Sequence, residues 1–387
     1  MRLLSLLFTV LLAGSLTASS FYFDATNGED ANDGLTPATA WQSLRRLNML
    51  ALPQPGDSLL LKRGETFVET SFQIIYSGQL NAPYTFTAYG DPALPLPIVT
   101  SIAPLVGAEV PANWQLAGTN VWVLGPIDSP GRLFIDGEEV LRASNGINKV
   151  GTTDERGAFN KWFWVGNGLY LHSVGNPAAT DITLTGRTAP YTLLMLGSSH
   201  IKLDSINIQG GSQAAVGMFG VDSTSWTGCR LGAFSSGGIV LTGATSGAGL
   251  PIACEDIVIG HNILDSRFRI KHGIGVNRGV EDGILMSNAA RRITIDSNTL
   301  RNWAGYGVQL VGSTASAIGV NDNLVRGNHI SAPDVSISAG FSINGLEGLA
   351  SDNQVIGNMV DSTQAGNLPT GIYFLVVDGT THKVFLP

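Results

Sequence analysis

The sequence predicts an all-β fold, a parallel β-helix, and three observations carry that prediction. Asn298, Asn328 and Asn358 fall thirty residues apart, with Asn262 thirty-six residues before the first. Each asparagine closes or interrupts a short alternating run: IVIGHN (257–262), ITIDSN (293–298), LVRGNH (324–329) and QVIGNM (354–359). Each is followed by a glycine that opens a second apolar run: GILM (283–286), GVQL (307–310), GFSI (340–343) and GIYF (371–374). A period of this length means units that cannot bury their apolar faces alone and must stack. Period-two, β-branched runs broken by Gly, Asn, Asp and Ser are strand-and-turn grammar, which excludes the helical solenoids. Strands recurring at one place in each unit stack in parallel, about 4.8 Å apart. An asparagine at each bend is expected to take left-handed backbone geometry and to bond its amide along the stack.

Composition agrees. Of 387 residues 48 are glycine, 13% are charged and 44% are apolar. That suits a turn-rich β protein and excludes a disordered chain. The net charge of −8 disfavours nucleic acid and anionic membranes as partners.

Taken in order, residues 1–20 read as a secretory signal: Arg2, an apolar run over 3–12, then small residues with Ala18 and Ser20 placed for cleavage before Phe21. The run is too short to span a bilayer, so a secreted or periplasmic protein with no integral membrane segment is expected. Residues 21–103 read as an N-terminal cap and first coils. Asp24, Asp30, Asn32 and Asp33 are oxygen ligands of the kind Ca2+ takes, but Asx turns explain the same residues and are the favoured reading. TAWQSLRRLNML (39–50) carries an apolar stripe of Trp41, Leu44, Leu47 and Met49 or Leu50, and is expected to be a short capping helix over the open end of the first coil. Strands are expected at 58–62, 72–76, 84–88 and 98–101.

Residues 104–187 break the pattern with Trp114, Trp122, Trp162, Trp164, Phe163 and Tyr170. They read as an inserted antiparallel β excursion, its aromatics forming a small core in preference to a sugar-stacking surface. Repeat coils resume for 188–387, from IKLDSINIQ (201–209) onward, and the chain stops without a visible C-terminal cap. Cys229 and Cys254 lie one coil length apart, which permits either a disulfide or two buried thiols.

One coil is too long. Asn328 to Gly340 is twelve residues and Asn358 to Gly371 thirteen, but Asn262 to Gly283 is twenty-one. The surplus, SRFRIKHGIGVNRGVED (266–282), holds Arg267, Arg269, Lys271, His272 and Arg278, flanked by Asp265 and ending in Asp282. Four of the chain's 22 Lys and Arg sit in twelve residues of an acidic protein, which suits an anionic partner, with a solvated loop that neutralises Asp265, Glu281 and Asp282 as the slightly favoured reading. His200 and His261 lie in the strand units and read as structural.

The run DATNGEDANDGLTPATAWQSL (24–44), the run PGDSLLLKRGETF (55–67) and the repeated I-x-x-N-x-I/L units resemble the right-handed parallel β-helix proteins of the pectate-lyase-like superfamily. The resemblance covers nearly all of the chain after residue 20. It implies a right-handed coil and a carbohydrate-active role without selecting among lyases, hydrolases, epimerases and non-catalytic adhesins. The paired-Asp arrangement of polygalacturonases is not matched by Glu281-Asp282-Gly283, whose acids would face opposite sides of a strand. The leading expectation is a lyase that cleaves a uronate-containing polysaccharide by β-elimination. That chemistry needs a base for the proton α to the carboxyl and a cation to neutralise it. Lys271, His272, Arg267, Arg269 and Arg278 are the right residue types, and a Ca2+ held by acids could share the cation's role. A glycoside hydrolase would instead use two carboxylates, Asp265 and Asp282. A non-catalytic glycan-binding or adhesion module is the remaining alternative.

Overall fold

The computed structural model describes residues 18–49, 54–69, 71–143, 146–153, 159–186, 190–232, 237–245, 251–265, 282–301, 306–312, 318–332, 341–344, 350–362, 371–377 and 380–386. Residues 1–17, most of the expected signal segment, lie outside them, as do 266–281, which contain Arg267, Arg269, Lys271, His272 and Arg278. No helix among the described residues is long and apolar enough to cross a membrane.

The chain is a parallel β-helix of three stacked sheets. One winding shows the plan: Tyr191–Leu196 lies in sheet C, Ile201–Asp204 in sheet A and Asn207–Gln209 in sheet B, and then Ala214–Phe219 returns to sheet C beside Tyr191–Leu196. Sheet A stacks nine strands, sheet B eight and sheet C seven. Register is kept strictly: Leu193, Val216, Ile239, Ile284 and Val308 align, as do Met195, Met218, Leu241, Met286 and Leu310 two residues on. Both rows point inward and are fully buried. Alternation along each strand thus gives a continuous apolar core, in which each coil covers the next.

The asparagines line up as anticipated, but they are not the left-handed residues. That role falls to the residue before each of them, His261 (φ 57°), Ser297 (φ 54°), Gly327 (φ 61°) and Gly357 (φ 60°). The turn from sheet A to sheet B is only two residues long: the first bends the chain and the second points into the core. Asn262, Asn298 and Asn328 are 1% exposed. Asn262 Nδ2 donates to Asn298 Oδ1 (3.0 Å), Asn298 to Asn328 (2.9 Å) and Asn328 to Asn358 (2.9 Å). Each Oδ1 also accepts the backbone N–H of the preceding coil's asparagine, so the ladder satisfies main-chain donors that the turn leaves over. A second ladder, absent from the sequence reading, runs at the start of sheet A, where Asn323 Nδ2 donates to Asn353 Oδ1 (2.9 Å) and Asn323 Oδ1 takes the Ile293 amide. His200 (φ 55°) and His261 occupy corner positions, not strands.

The capping helix is not formed. Residue 39 instead ends a 3-10 turn, Pro37–Thr39, and the chain then enters a second, Leu44–Met49. The reason is local. Trp41 N–H bonds Tyr22 O, Asp24 N–H bonds Trp41 O, and Asp30 Oδ1 takes the amides of Gln42 and Ser43, which leaves too few main-chain groups for an α-helical turn through Trp41. The stripe is still buried: Trp41, Leu44 and Leu47 are each at most 2% exposed, and Trp41 stacks on Phe21 at 5.2 Å. Asp24 and Asp33 take amides two or three residues on, as Asx turns do, whereas Asp30 reaches the amides of Gln42 and Ser43.

The excursion forms two four-stranded antiparallel sheets. Its own core holds Trp114, Leu124, Leu133, Trp162, Leu169, Leu171 and Ile182. At the other end, 371–374 do not continue sheet C. Gly371–Val377 pairs antiparallel with Thr380–Leu386, because the last strand of the chain offers a complete partner, and sheet C ends at Phe341–Asn344.

Cys229 and Cys254 are free and buried. Cys229 occupies the asparagine row one coil earlier, where its amide donates to Asn262 Oδ1; Cys254 sits at the corner before sheet A with its thiol toward Thr242 O. Burial pushes Cys229 up to about 12 and Cys254 to about 11. A thiol reagent is therefore expected to find no reactive cysteine in the native protein and two after denaturation without reductant. Fewer than two would indicate a disulfide.

Candidate functional site in the trough over sheet C

From Ile201 onward the corner between sheets A and B takes two residues per coil, after three at 63–65 and eight at 90–97 in the first coils, and the longest connections fall at the two edges of sheet C. Between sheets B and C the connection is four residues at 210–213, four at 233–236 and sixteen at 266–281. At 210–213 the packing leaves no room for a side chain on the first two residues: a Cβ on Gly211 (φ 83°) would collide with Ala214 O. The long connection at 266–281 is thus a property of its own coil and not of the corner. On the other edge, residues 243–253 and 312–318 join sheet C to the corner before sheet A. The outer face of sheet C is a floor with a loop-bearing edge on each side, the placement in which a rigid scaffold presents binding groups.

The floor is neutral. One outward row runs Leu194, Gly217, Val240, Leu285, Gln309, and the next runs Leu196, Phe219, Thr242, Ser287, Val311. Tyr191 and Phe219 meet edge to face at 5.5 Å, both rings 2.9 Å from where a Gly217 Cβ would be, so only glycine lets them close over the strand. Tyr191 Oη donates to Gln213 Oε1 at 3.0 Å. Ile75 (56% exposed) and Leu196 (40%) extend the apolar surface.

Asp282 and Asp265 stand where the sixteen-residue connection leaves and rejoins the stack. Asp265 is the last residue of Ile263–Asp265 in sheet B and accepts from Arg301 Nε at 2.8 Å. Asp282 is the first residue of Asp282–Ser287 in sheet C, so it belongs to the strand and not to the bulge. It is 1% exposed. Its Oδ1 accepts the Tyr306 amide at 2.8 Å, and its Oδ2 is buried without a hydrogen-bond partner. Burial pushes this carboxyl up to about 6, against the opposing pull of the Tyr306 amide. The sequence offered Asp282 as one of seven candidates, but nothing in it disclosed the burial.

Three further arginines along the stack are engaged between coils. Arg291 and Arg292 bind Glu255, Arg292 also binds Asp256, and Arg326 binds Asp296. Each arginine reaches an acid one coil earlier, a pattern legible in retrospect as an Asp or Glu 30, 36 or 37 residues before the Arg. Among the described residues no group of three or more His, Cys, Asp or Glu side chains could hold a metal ion.

No family model matches the chain. A lacto-N-biosidase of Bifidobacterium longum subsp. longum is 34% identical over 87 residues, 22% of this chain and 5% of that protein, so the match spans about a twentieth of the relative's length. Among solved structures, XylC in complex with xylose aligns over 84% of this chain and 70% of its own at 11% identity, with a TM-score of 0.49. Pectate lyase Pel9A aligns over 89% and 63% at 10% identity, with a TM-score of 0.47. The stacking register and the amide ladder within this chain make it a parallel β-helix protein, the architecture that its resemblance to the pectate-lyase-like superfamily implied.

Proposed function

We propose that the protein is an exported enzyme that cleaves a uronate-containing polysaccharide by β-elimination in the trough over sheet C. The observation that carries the reading is Asp282, a buried acid that keeps its proton up to about pH 6 and shares the inward parity of Ile284 and Met286, at the point where the sixteen-residue connection rejoins sheet C. In β-elimination a base removes the proton α to the carboxyl, the bond from the ring to the glycosidic oxygen breaks, a carbon–carbon double bond forms, and the leaving oxygen takes a proton. Asp282 is the donor of that proton. Lys271 or His272 is the base, and Arg267, Arg269 and Arg278 neutralise the substrate carboxylate. The Tyr191–Phe219 pair offers ring faces on which sugars stack.

Hydrolysis is the second reading. Asp265 at the other end of the same connection supplies a second carboxylate, and the relative with 34% identity is named for a glycosidase activity.

Incubation with pectate, alginate and glycosaminoglycans, with and without Ca2+, distinguishes the readings. Elimination gives a rise in ultraviolet absorbance from the unsaturated uronate. New reducing ends without that absorbance would assign hydrolysis. Binding without either product would leave a non-catalytic module and end the enzymatic reading.

A further inference from the structure

The inserted β excursion has an outer face that its core does not use. In its sheet of Trp162–Val165, Gly168–His172, Val121–Leu124 and Trp114–Gly118, alternate residues point away from the buried Trp162, Leu169 and Leu171. Phe163, Tyr170 and Val123 are cross-strand neighbours on that face, and the positions of the Tyr170 ring (3.3 Å) and Val123 methyl (3.1 Å) over Gly168 fix them on one side. Lys161 and His172 lie opposite one another at the next pair, joined by a 2.8 Å backbone hydrogen bond. Phe159 meets the His172 ring edge on at 5.0 Å, and the Arg142 guanidinium lies over Phe163 at 5.7 Å.

We propose that this face is a second saccharide-binding surface, separate from the trough, and that it takes an anionic sugar: a ring stacked on Phe163 and Tyr170 with its carboxylate or sulfate held by Lys161 and His172. Two observations independent of the aromatic row point to an anion. Lys161 is half-buried, and no carboxylate among the described residues pairs with it. His172 Nδ1 is buried without a hydrogen-bond partner. Burial lowers the proton affinity of Lys161, and burial together with the nearby Lys161 lowers that of His172. An arriving anion would stabilise the charge on Lys161 and favour protonation of His172 beside it. A neutral sugar would gain the stacking alone.

The proposal does not rest on the trough being catalytic. The test is electrophoresis of the full chain through native gels cast with polygalacturonate, dextran sulfate or neutral dextran. The wild type is expected to be retarded by the two polyanions, less so as salt is added, and not by dextran. Lys161→Gln, which removes the charge and keeps the length, is expected to weaken retention at least about tenfold, with Tyr170→Ala several-fold weaker and Lys161→Arg close to wild type. Thermal melts of the same samples confirm that each variant is folded. Wild-type retention by Lys161→Gln and Tyr170→Ala together would place the binding elsewhere and overturn the proposal, as would no retention of the wild type by either polyanion. Loss of turnover in the trough with retention unchanged would bear on the trough alone.

Discussion

Asn298→Ala is expected to cost about 3–5 kcal/mol of stability, the largest effect of any single truncation in the stack. The alanine would leave the Asn262 amide and the Ile259 carbonyl without partners, since Asn298 Oδ1 accepts from Asn262 N at 2.9 Å and its Nδ2 donates to Ile259 O at 2.8 Å. It would also cut both rungs, to Asn262 and to Asn328. All of this happens at a site 1% exposed, where water cannot substitute. Asn358→Ala, at the half-buried end of the ladder, removes one rung and the partners of the Asn328 amide and the Val325 carbonyl, and about 1–2 kcal/mol is expected. Urea denaturation of the two variants measures the gradient. Equal and small losses at both positions would mean that the ladder follows the stacking instead of enforcing it.

Asp282→Asn is expected to reduce turnover by about 100-fold or more, the share that a positioned proton donor contributes. The same substitution has a second readout. The native carboxyl holds its proton up to about pH 6, while the unfolded one releases it near 3.8. Between those values the native state binds more protons, so stability falls as pH rises. The shift corresponds to about 3 kcal/mol, present below pH 4 and lost above pH 6. Asparagine keeps the acceptor for the Tyr306 amide and does not ionise. Stability of the variant, followed by denaturation from pH 4 to 8, should therefore lack this downward component. If turnover survives while the pH slope disappears, Asp282 is a buried tie at the start of its strand and the proposed donor is wrong.

Much of the scaffold was legible because stacking forces periodicity into the sequence. Asn298, Asn328 and Asn358 occupy one buried site repeated at thirty-residue intervals. Such a repeat also marks the odd coil, and the excess after Asn262 falls at a loop-bearing corner. The second ladder could have been found the same way, from Asp322-Asn323 and Asp352-Asn353. The cap was misread because Trp41, Leu44 and Leu47 have helical spacing, yet the hydrogen bonds that decide the conformation come from Tyr22 and Asp30, distant in sequence. Asp282 shows the same limit at the site. Its identity was visible, but its buried environment depends on Tyr306 and on neighbouring coils, which no local pattern encodes. The neutral floor of sheet C was missed for a related reason: its outward rows are built from residues in five successive coils.

The two-residue bend between sheets A and B carries a consequence for how such a protein diversifies. A single inserted residue there would push an asparagine out of line and sever the amide chain through several coils at once. Along the borders of sheet C, by contrast, segments of four and of sixteen residues leave the same strand register. Natural drift and deliberate grafting are thus channelled to the margins of one face. New recognition can accumulate there while the seam that carries the asparagines, from Asn262 to Asn358, stays fixed in length.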